Sequence, residues 1–305
     1  MSLALRAARF VALLASPALC FVAAGCLSSK PTSKVVPLAS LEQNYRSVLE
    51  AYGEGGEAWE AARAEALDDP KLTRFLVDNL AREMVRAFES GGQVLLAAED
   101  NPYIRAREEL IELGAPTVNL AAGMLAEGDD VLAYHGADLI EGIGEPAVPA
   151  LVDLLRDSRD SVRRRAAGVA GGLDAGSPAL ERALTDLLTR DSEWIVRAQA
   201  ARAIGTRLAE QRAAATEREH LSACLEVATR DEDILVAAEA ALALGPLQDL
   251  RAAPALIEVL DRAEGEGHPL AARRAQTALQ TLFADPTPRG SGGWQAYWKG
   301  HPQRR

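Results

Sequence analysis

An internal repeat of 30 residues is the feature that most constrains how this chain can fold. Residues 110–125 (LIELGAPTVNLAAGML) align with residues 140–155 (IEGIGEPAVPALVDLL) without a gap. Downstream, an aliphatic residue followed four positions later by a small residue recurs at looser spacing, at Leu132/Gly136, Val162/Ala166, Val196/Ala200, Val236/Ala240 and Ala271/Ala275. The longest step, from Val196 to Val236, contains a charged insertion at 206–219 that is expected to lengthen a helix pair. Such a period predicts one supersecondary unit per copy, with the copies stacked into a single array that shares one continuous core.

The residues within each copy follow a helical pattern. The hydrophobic fraction of 48% is rich in alanine and leucine, and only 5% of the residues are aromatic. This composition suits closely packed helices and is poor in the β-branched and aromatic residues that sheets favour. Apolar residues recur at helical spacing from Leu38 onward, with helices expected at 41–52, 57–67 and 70–90 ahead of the repeats. The sequence therefore predicts an all-α fold, an α-α superhelix with an extra N-terminal helical segment.

Three stretches of the array resemble a known family. They are PAVPALVDLLRDSRDSVRRRAAGVAGGL at 146–173, RDSEWIVRAQAARAIG at 190–205 and ILVAAEAALALG at 234–245. These stretches resemble HEAT and HEAT-like (phycobilisome-lyase-type) repeats. The resemblance covers about 104 to 283. It implies two antiparallel helices per unit, stacked into a curved solenoid, and it is specific for architecture because such scaffolds serve many uses.

The N-terminus has the pattern of a bacterial lipoprotein leader. Arg6 and Arg9 precede an apolar run at 10–24, which is shorter than the roughly 20 residues that span a bilayer. The run leads into VAAGC, which resembles a lipobox with Cys26 as the lipidated residue and Ala23 where leucine is usual. The whole layout is similar to bacterial HEAT-repeat lipoproteins. The alternative is an ordinary secretory leader cut nearby.

This interpretation divides the chain into five segments. They are a signal peptide at 1–25, a tether at 26–37, an N-terminal helical segment at 38–103, HEAT-like repeats at 104–283, and a C-terminal loop with a capping helix at 284–305. The polar tether LSSKPTSKVVP suits a chain that leaves a membrane surface. We expect an exported protein, anchored through lipid at the periplasmic side of the envelope or in the outer membrane.

Charge and motifs exclude several classes of function. The chain has 33 basic and 44 acidic residues, a net charge of −11, whereas a nucleic-acid binder needs a dense basic face. The four histidines form no HExxH pattern, and no GxSxG, CxxC, P-loop or complete GxGxxG occurs. We therefore predict no catalytic, cofactor-binding or metal-binding residues, and no enzyme activity.

Several single residues are expected to be structural. Cys224 fits a small buried hydrophobe, and His135 a buried histidine with its hydrogen bonds satisfied. Trp59 and Trp194 are expected in the core. The group Trp294, Tyr297 and Trp298 is expected to cover the exposed end of the last repeat, with an aromatic ligand platform as the alternative. Three glycines at 168, 171 and 172 mark either very close packing or the weakest point of the array.

Five arginines form the candidate partner-binding site. They lie on the second helices of successive units, which line the concave face in HEAT proteins: Arg163, Arg164, Arg165, Arg197 and Arg202. This basic strip can receive an acidic segment or an anionic headgroup. The alternative is that the arginines pair with the acidic loops inside the molecule.

The acidic loops recur between the two helices of each unit, at 127–130, 157–160, 191–193 and 231–233. We expect each loop to cap the helix that follows it, the alternative being an anionic docking ridge. The resemblance also implies a ladder of ion pairs, in which Asp160 pairs with Arg163 and Asp191 with Arg197. The ladder is expected to be incomplete, because alanine occupies the arginine position at 133 and 237.

The sequence thus predicts a lipid-anchored envelope scaffold that mediates protein–protein interaction without catalysis. Its partner is an unknown protein, and the membrane is contacted through the N-terminal lipid. Two alternatives stay open: an enzyme or enzyme-accessory subunit of the HEAT-like lyase type, and a purely structural envelope protein.

Overall fold

The computed structural model describes residues 43–90, 101–285 and 287–302. The predicted signal peptide, Cys26 and the tether lie outside these residues. The chain divides into two compact units, 1–46 and 47–305. Of the first unit only residues 43–46 are described, and the account below concerns the second. No helix in the described ranges combines the length and apolar character needed to cross a bilayer.

Four helices precede the repeats. They are α1 (Gln43–Glu54), α2 (Gly56–Asp68), α3 (Pro70–Glu89) and α4 (Pro102–Leu113). Asp69 begins α3 because its carboxylate accepts the backbone N–H groups of Lys71 and Leu72, and a proline occupies the first helical position. The ring of Trp59 is buried and meets the Tyr52 ring edge-on at 5.1 Å. The predicted core position of Trp59 is confirmed.

Five helix pairs and one final helix follow. The pairs are α5 (Val118–Ala126) with α6 (Asp130–Ile143), α7 (Val148–Leu154) with α8 (Asp160–Gly172), α9 (Pro178–Arg190) with α10 (Trp194–Ala209), α11 (Arg218–Ala228) with α12 (Ile234–Leu244), and α13 (Ala253–Gly265) with α14 (Pro269–Phe283); α15 (Gly290–Gly300) ends the series. The first helix of each pair is termed an A helix and the second a B helix. The described residues contain no strand. The predicted all-α superhelical fold is confirmed.

Small residues let the B helices pack closely on one another. Each B helix contacts the B helix of the next pair, and the A helices form a second layer. Alanines predicted at the close contacts are fully buried: Ala166, Ala167, Ala200, Ala201, Ala240 and Ala241. Buried leucines fill the space between the layers, among them Leu151, Leu155, Leu184, Leu225 and Leu260. The continuous core therefore comes from stacking rather than from any single pair.

Glycines mark the closest approaches between B helices. A Cβ atom added at Gly171 would lie 3.1 Å from the Ala203 Cα atom, and one at Gly172 would lie 2.6 Å from a carboxylate oxygen of Glu141. A Cβ atom at Gly205 would lie 3.0 Å from the Ala243 Cα atom. The glycine-rich end of α8 is therefore a site of close packing.

Two local expectations are wrong. Trp194 is 41% exposed because it is the first residue of α10, where the chain leaves the loop. The insertion at 206–219 does not lengthen a helix pair: α10 ends at Ala209, and α11 begins only at Arg218. The segment between these helices is fixed by Arg207, whose backbone carbonyl accepts the N–H groups of Arg212 and Ala213.

The last helix covers the end of the array. Trp294 on α15 is fully buried and stacks on Phe283 with ring centroids 5.5 Å apart. Its indole N–H donates to the Gln276 side chain at 3.1 Å, and α15 packs against α13. Tyr297 and Trp298 contact the same Phe283 ring. These contacts confirm the predicted capping role of the aromatic group.

Candidate functional site

The solvent-facing side of the B helices, termed the B face, carries two of the five predicted arginines as exposed side chains. Its first row is the second residue of each B helix: Val131, Ser161, Ile195, Leu235 and Leu270. One to two turns further along, charged and polar side chains face the same way, since residues four apart share a helix face. These include Arg164, Arg202 and Arg274, and the buried Glu239 lies beneath the last two.

Arg163 is fixed between two repeats and belongs to the edge of the B face. Its Nε and Nη2 atoms donate to both carboxylate oxygens of Asp191, at 2.7 and 3.0 Å. Its Nη1 atom donates to the carbonyl oxygens of Asp157 and Ser158, at 2.9 and 3.1 Å. The side chains of Arg163 and Asp191 are only 14% and 4% exposed. The guanidinium thus joins its own loop to the next one.

Arg197 repeats this arrangement one unit later. It donates to both carboxylate oxygens of Asp231, at 2.8 and 2.9 Å, and to the carbonyl oxygens of Asp191 and Ser192. Burial raises the pKa of Asp191, but the Arg163 side chain and the Glu193 N–H group outweigh it, so the pKa lies below its usual range. Asp191 thus serves two arginines, one through its carboxylate and one through its carbonyl.

The predicted register of this ladder is wrong. Arg163 pairs with Asp191 rather than with Asp160, and the Asp191 carboxylate pairs with Arg163 rather than with Arg197. The reason is geometric: each guanidinium is held by its own loop's carbonyls and reaches forward to the aspartate of the following unit.

The forward register also explains the gaps in the ladder. Because residue 133 is alanine, the preceding unit provides no arginine to pair with Asp157. Arg159 of the same loop pairs with Asp157 instead and lowers the pKa of Asp157 to about 2. With alanine at 237, the following loop (266–268) contains no aspartate that would need a partner. Arginine is thus present where an aspartate follows in the next unit, except at 133.

Arg165 ties the second pair to the first. Its Nη2 atom lies 2.9 Å from a carboxylate oxygen of Asp130, and its Nη1 atom donates to the carbonyl of Glu127. Its side chain is 19% exposed. The predicted alternative, intramolecular pairing, therefore describes Arg163, Arg165 and Arg197.

Arg202 and Arg164 differ from those three. Arg202 lies 2.7 Å from a carboxylate oxygen of Glu239 but keeps 45% of its side chain exposed. Arg164 is exposed, and its guanidinium makes no ion pair or hydrogen bond within the described part of the chain. Their role in partner binding stays a prediction.

Two of the acidic loops act as helix caps. Asp129 accepts the N–H groups of Val131 and Leu132 at 2.8 and 3.0 Å, and Asp233 accepts that of Leu235 at 2.8 Å. These bonds satisfy donors that are otherwise free at a helix start. The predicted capping role is confirmed for the loops at 127–130 and 231–233, whereas the loops at 157–160 and 191–193 place no side-chain cap on the helix that follows them.

The sequence does not predict the placement of two carboxylates, the fully buried Glu181 and the half-buried Glu141. Glu181 is fully buried with Arg207, which donates to it at 2.7 Å and also to the carbonyls of Ala170 and Leu173. Glu141 lies beside Asp138, and burial together with that neighbour raises the pKa of Glu141 to about 7. In the sequence, each of these glutamates is an ionisable residue at a position where the helical period places apolar residues, and this pattern could have indicated them.

His135 and Cys224 are both buried. His135 lies among the rings of Phe88, Tyr103 and Tyr134, with the Phe88 centroid 4.5 Å away, and burial lowers its pKa. The expectation of satisfied hydrogen bonds is wrong, because neither ring nitrogen has a partner among the described residues. Cys224 is the buried small residue that the sequence predicts. Within the described ranges, no group of His, Cys, Asp or Glu side chains could hold a metal ion.

Comparisons with solved structures give armadillo and HEAT-type proteins. A computationally designed armadillo repeat protein for modular peptide recognition is 17% identical with a TM-score of 0.36, covering 63% of this chain and 98% of that chain. The karyopherin Kap121p, solved bound to the extreme C-terminus of the protein phosphatase Cdc14p, is 13% identical with a TM-score of 0.41, covering 84% of this chain and 31% of that chain. No curated protein sequence matches.

The family comparison is decisive. The family described as HEAT repeats matches residues 117–205 and 181–280. Together these regions cover more than half of the 305 residues and include the first four B helices and most of the fifth. The chain therefore belongs to the HEAT-repeat family.

Proposed function

We propose that this protein is a lipid-anchored scaffold of the bacterial cell envelope that binds a protein partner on the B face and catalyses no reaction. The observation that carries the proposal is the division of the predicted arginines. Three are used by the fold, whereas Arg164 remains exposed with no partner among the described residues. An arginine that contributes nothing to the fold is available for an interface, where arginine is enriched.

The charge of the face suggests the kind of partner. Arg164 and Arg202 lie on adjacent B helices of a protein whose net charge is −11. A local basic area on an acidic molecule attracts an acidic partner and orients it during encounter. Three aspartates of the acidic loops are engaged within the molecule, Asp129 as a helix cap and Asp191 and Asp231 in the ladder, which leaves the B-face arginines to a partner's carboxylates.

Binding is tested by reversing one charge that the fold does not use. Arg164→Glu is compared with Arg190→Glu, a change on the A helix α9 where the side chain is 78% exposed. We expect crosslinking in intact cells to recover one stoichiometric protein with the wild type and Arg190→Glu, and much less with Arg164→Glu. Unchanged recovery with Arg164→Glu, at an unchanged helical circular dichroism spectrum, would contradict the proposal.

The anchor is tested separately. The support for it is the VAAGC motif at 22–26 and the polar tether after it. Cys26→Ala is expected to move the protein out of the membrane fraction and to remove a mass increment of acyl-chain size. Retention in the membrane without that increment would show that another segment anchors the chain.

A further inference from the structure

A buried carboxylate holds two arginines next to each other on the B face. Glu239, on α12, has a side chain that is only 4% exposed. One of its oxygens, Oε1, lies 2.7 Å from the Nη2 atom of Arg202 on α10 and 2.7 Å from the Nη2 atom of Arg274 on α14. Three adjacent B helices thus bring two guanidinium groups to the same oxygen atom.

The two arginines are not saturated by this contact. Each guanidinium carries five N–H donors, and one nitrogen of each is engaged with Glu239. Arg202 donates to Glu239 and Arg274 forms an ion pair with it, and neither guanidinium donates any other hydrogen bond within the described ranges. Arg273, the residue before Arg274 on α14, is also exposed, and its charge acts on Arg274.

The positive charges disfavour one another. Burial lowers the pKa of Arg274, Glu239 raises it, and the nearby charges of Arg202 and Arg273 lower it again, with a net decrease. An additional carboxylate at this point would relieve that repulsion and accept the unused N–H donors.

An apolar row runs beside the arginines. Leu235 and Leu270 lie four residues before Glu239 and Arg274, one helical turn nearer the loops, and Ile195 occupies the same position on α10. Leu270 is 36% exposed, and the other two are half-buried. A ligand that covers this region therefore meets positive charge and apolar surface side by side.

Building on the proposed function, we propose that the face of α10, α12 and α14 binds an acidic peptide segment of the partner protein, with its carboxylates at Arg202 and Arg274 and its apolar side chains on Leu235 and Leu270. The spacing suits an extended segment. Packed helices lie about 8–10 Å apart, and three residues of extended peptide advance about 9–10 Å. Apolar residues three apart in the segment can therefore reach Leu235 and Leu270 on adjacent B helices. An acidic residue between them faces Arg202 and Arg274, whose Nη2 atoms both lie 2.7 Å from one oxygen of Glu239.

The test uses the full chain and defined peptides. The probe is a fluorescein-labelled peptide of four Asp-Leu-Ser units, compared with Asn-Leu-Ser and Asp-Ser-Ser peptides of the same length, by fluorescence anisotropy. We expect the Asp-Leu-Ser peptide to bind at least about tenfold more tightly than either control, because each control lacks one of the two matched chemistries. Affinity is expected to fall with salt.

Variants locate the site. Arg274→Gln and Leu270→Ser are each expected to weaken binding of the Asp-Leu-Ser peptide by about tenfold, whereas Arg190→Gln on α9 leaves it unchanged. Thermal unfolding is followed for each variant. If Arg274→Gln proves too unstable to measure, the preference of the wild type for aspartate over asparagine still decides the question.

Three results would overturn the inference. The first is equal binding of all three peptides. The second is displacement of the Asp-Leu-Ser peptide by a few millimolar inorganic phosphate, which would indicate a site for free anions. The third is unchanged peptide binding by both Arg274→Gln and Leu270→Ser. Each of these results is compatible with the proposed function if crosslinking in cells still recovers less partner with Arg164→Glu. Unchanged partner recovery with Arg164→Glu removes the proposed function instead.

Discussion

Arg163 and Arg164 are neighbours in the sequence, yet the structure uses them differently. Arg163 points along the helix edge, where two carbonyls of its own loop and the Asp191 carboxylate of the next unit surround it. Arg164 projects onto the solvent-facing side and is exposed. A difference of about 100° around the helix axis decides which arginine supports the fold and which is available to a partner.

The ladder makes a testable contribution to stability. Arg197→Ala removes two bonds to Asp231 and two to loop carbonyls in a pair whose side chains are 9% and 12% exposed. We expect it to lower the free energy of unfolding by about 2–3 kcal/mol, because Asp231 is left without its counter-charge. The measurement is urea denaturation. Arg251→Ala, at a side chain 84% exposed, is the control and should leave the midpoint unchanged. Equal effects of the two changes would show that the ladder is energetically neutral.

Glu141 makes the free energy of unfolding depend on pH. Burial and the neighbouring Asp138 raise its pKa to about 7 in the folded state, above its ordinary value of 4.5. Between these two values the folded state binds more protons than the unfolded state, so stability falls as pH rises from about 4.5 to about 7. Below that range the carboxyl group is protonated in both states and does not change the free energy of unfolding.

Glu141→Gln is expected to remove this dependence. The variant should be more stable than the wild type by about 1–2 kcal/mol at pH 8, and of similar stability at pH 4, because glutamine carries no charge to bury. Thermal unfolding across pH 4–8 checks both points, with Glu258→Gln at an exposed position of α13 as the control. A stability difference between Glu141→Gln and the wild type that stays constant across pH 4–8 would contradict the raised pKa.

At the scale of the helix, close packing rather than helix propensity decides where glycine is needed. Gly205 in α10 faces the backbone of α12, and an added Cβ atom would lie 3.0 Å from the Ala243 Cα atom. Gly123 in α5 faces solvent, and an added Cβ atom there meets nothing within 4 Å. The same residue type is therefore required at one position and costly at the other.

This contrast predicts opposite effects of one substitution. Gly205→Ala should lower the free energy of unfolding by about 1–3 kcal/mol, because the new methyl group forces two B helices apart. Gly123→Ala should raise it by up to about 1 kcal/mol, because alanine favours the helix. Chemical denaturation of both variants measures the difference. Stabilisation by Gly205→Ala would mean that the B helices are not in close contact there.

The helix boundaries show what local sequence encodes. The expected helix at 70–90 corresponds to Pro70–Glu89, since Asp69 and Pro70 form a standard helix start. Local sequence does not predict the structure of the insertion at 206–219, because that structure depends on Arg207, whose guanidinium donates to the carbonyls of Ala170 and Leu173 in another unit. Contacts of this kind leave no periodic trace in the sequence.

At the scale of the array, each unit is stabilised by its neighbours. Among the described residues no further helix pair follows α14, and α15 packs on this end through Trp294, which is fully buried against Phe283. In a linear array the loss of an end cap acts mainly on the adjacent units.

Trp294→Ala should therefore loosen the C-terminal end selectively. Removal of a buried tryptophan costs about 3–5 kcal/mol where it packs. We expect faster amide hydrogen exchange in α13, α14 and α15, and little change in α5 and α6. Hydrogen exchange with peptide-level detection distinguishes these regions. A uniform increase across all helices would show instead that the array unfolds as one unit.

The sequence by itself determined the repeat, the helical pairs and the positions of the small residues, because the repeat period and the local helix propensity depend only on residues close together in the chain. It also placed the arginines on the B helices. Only the tertiary structure decided which of them are free, since the partner of Arg163 is Asp191 in the next unit and the partners of Glu239 come from the helices on either side of it. Those pairings depend on how successive units stack, which is a property of the packed array and not of any single segment.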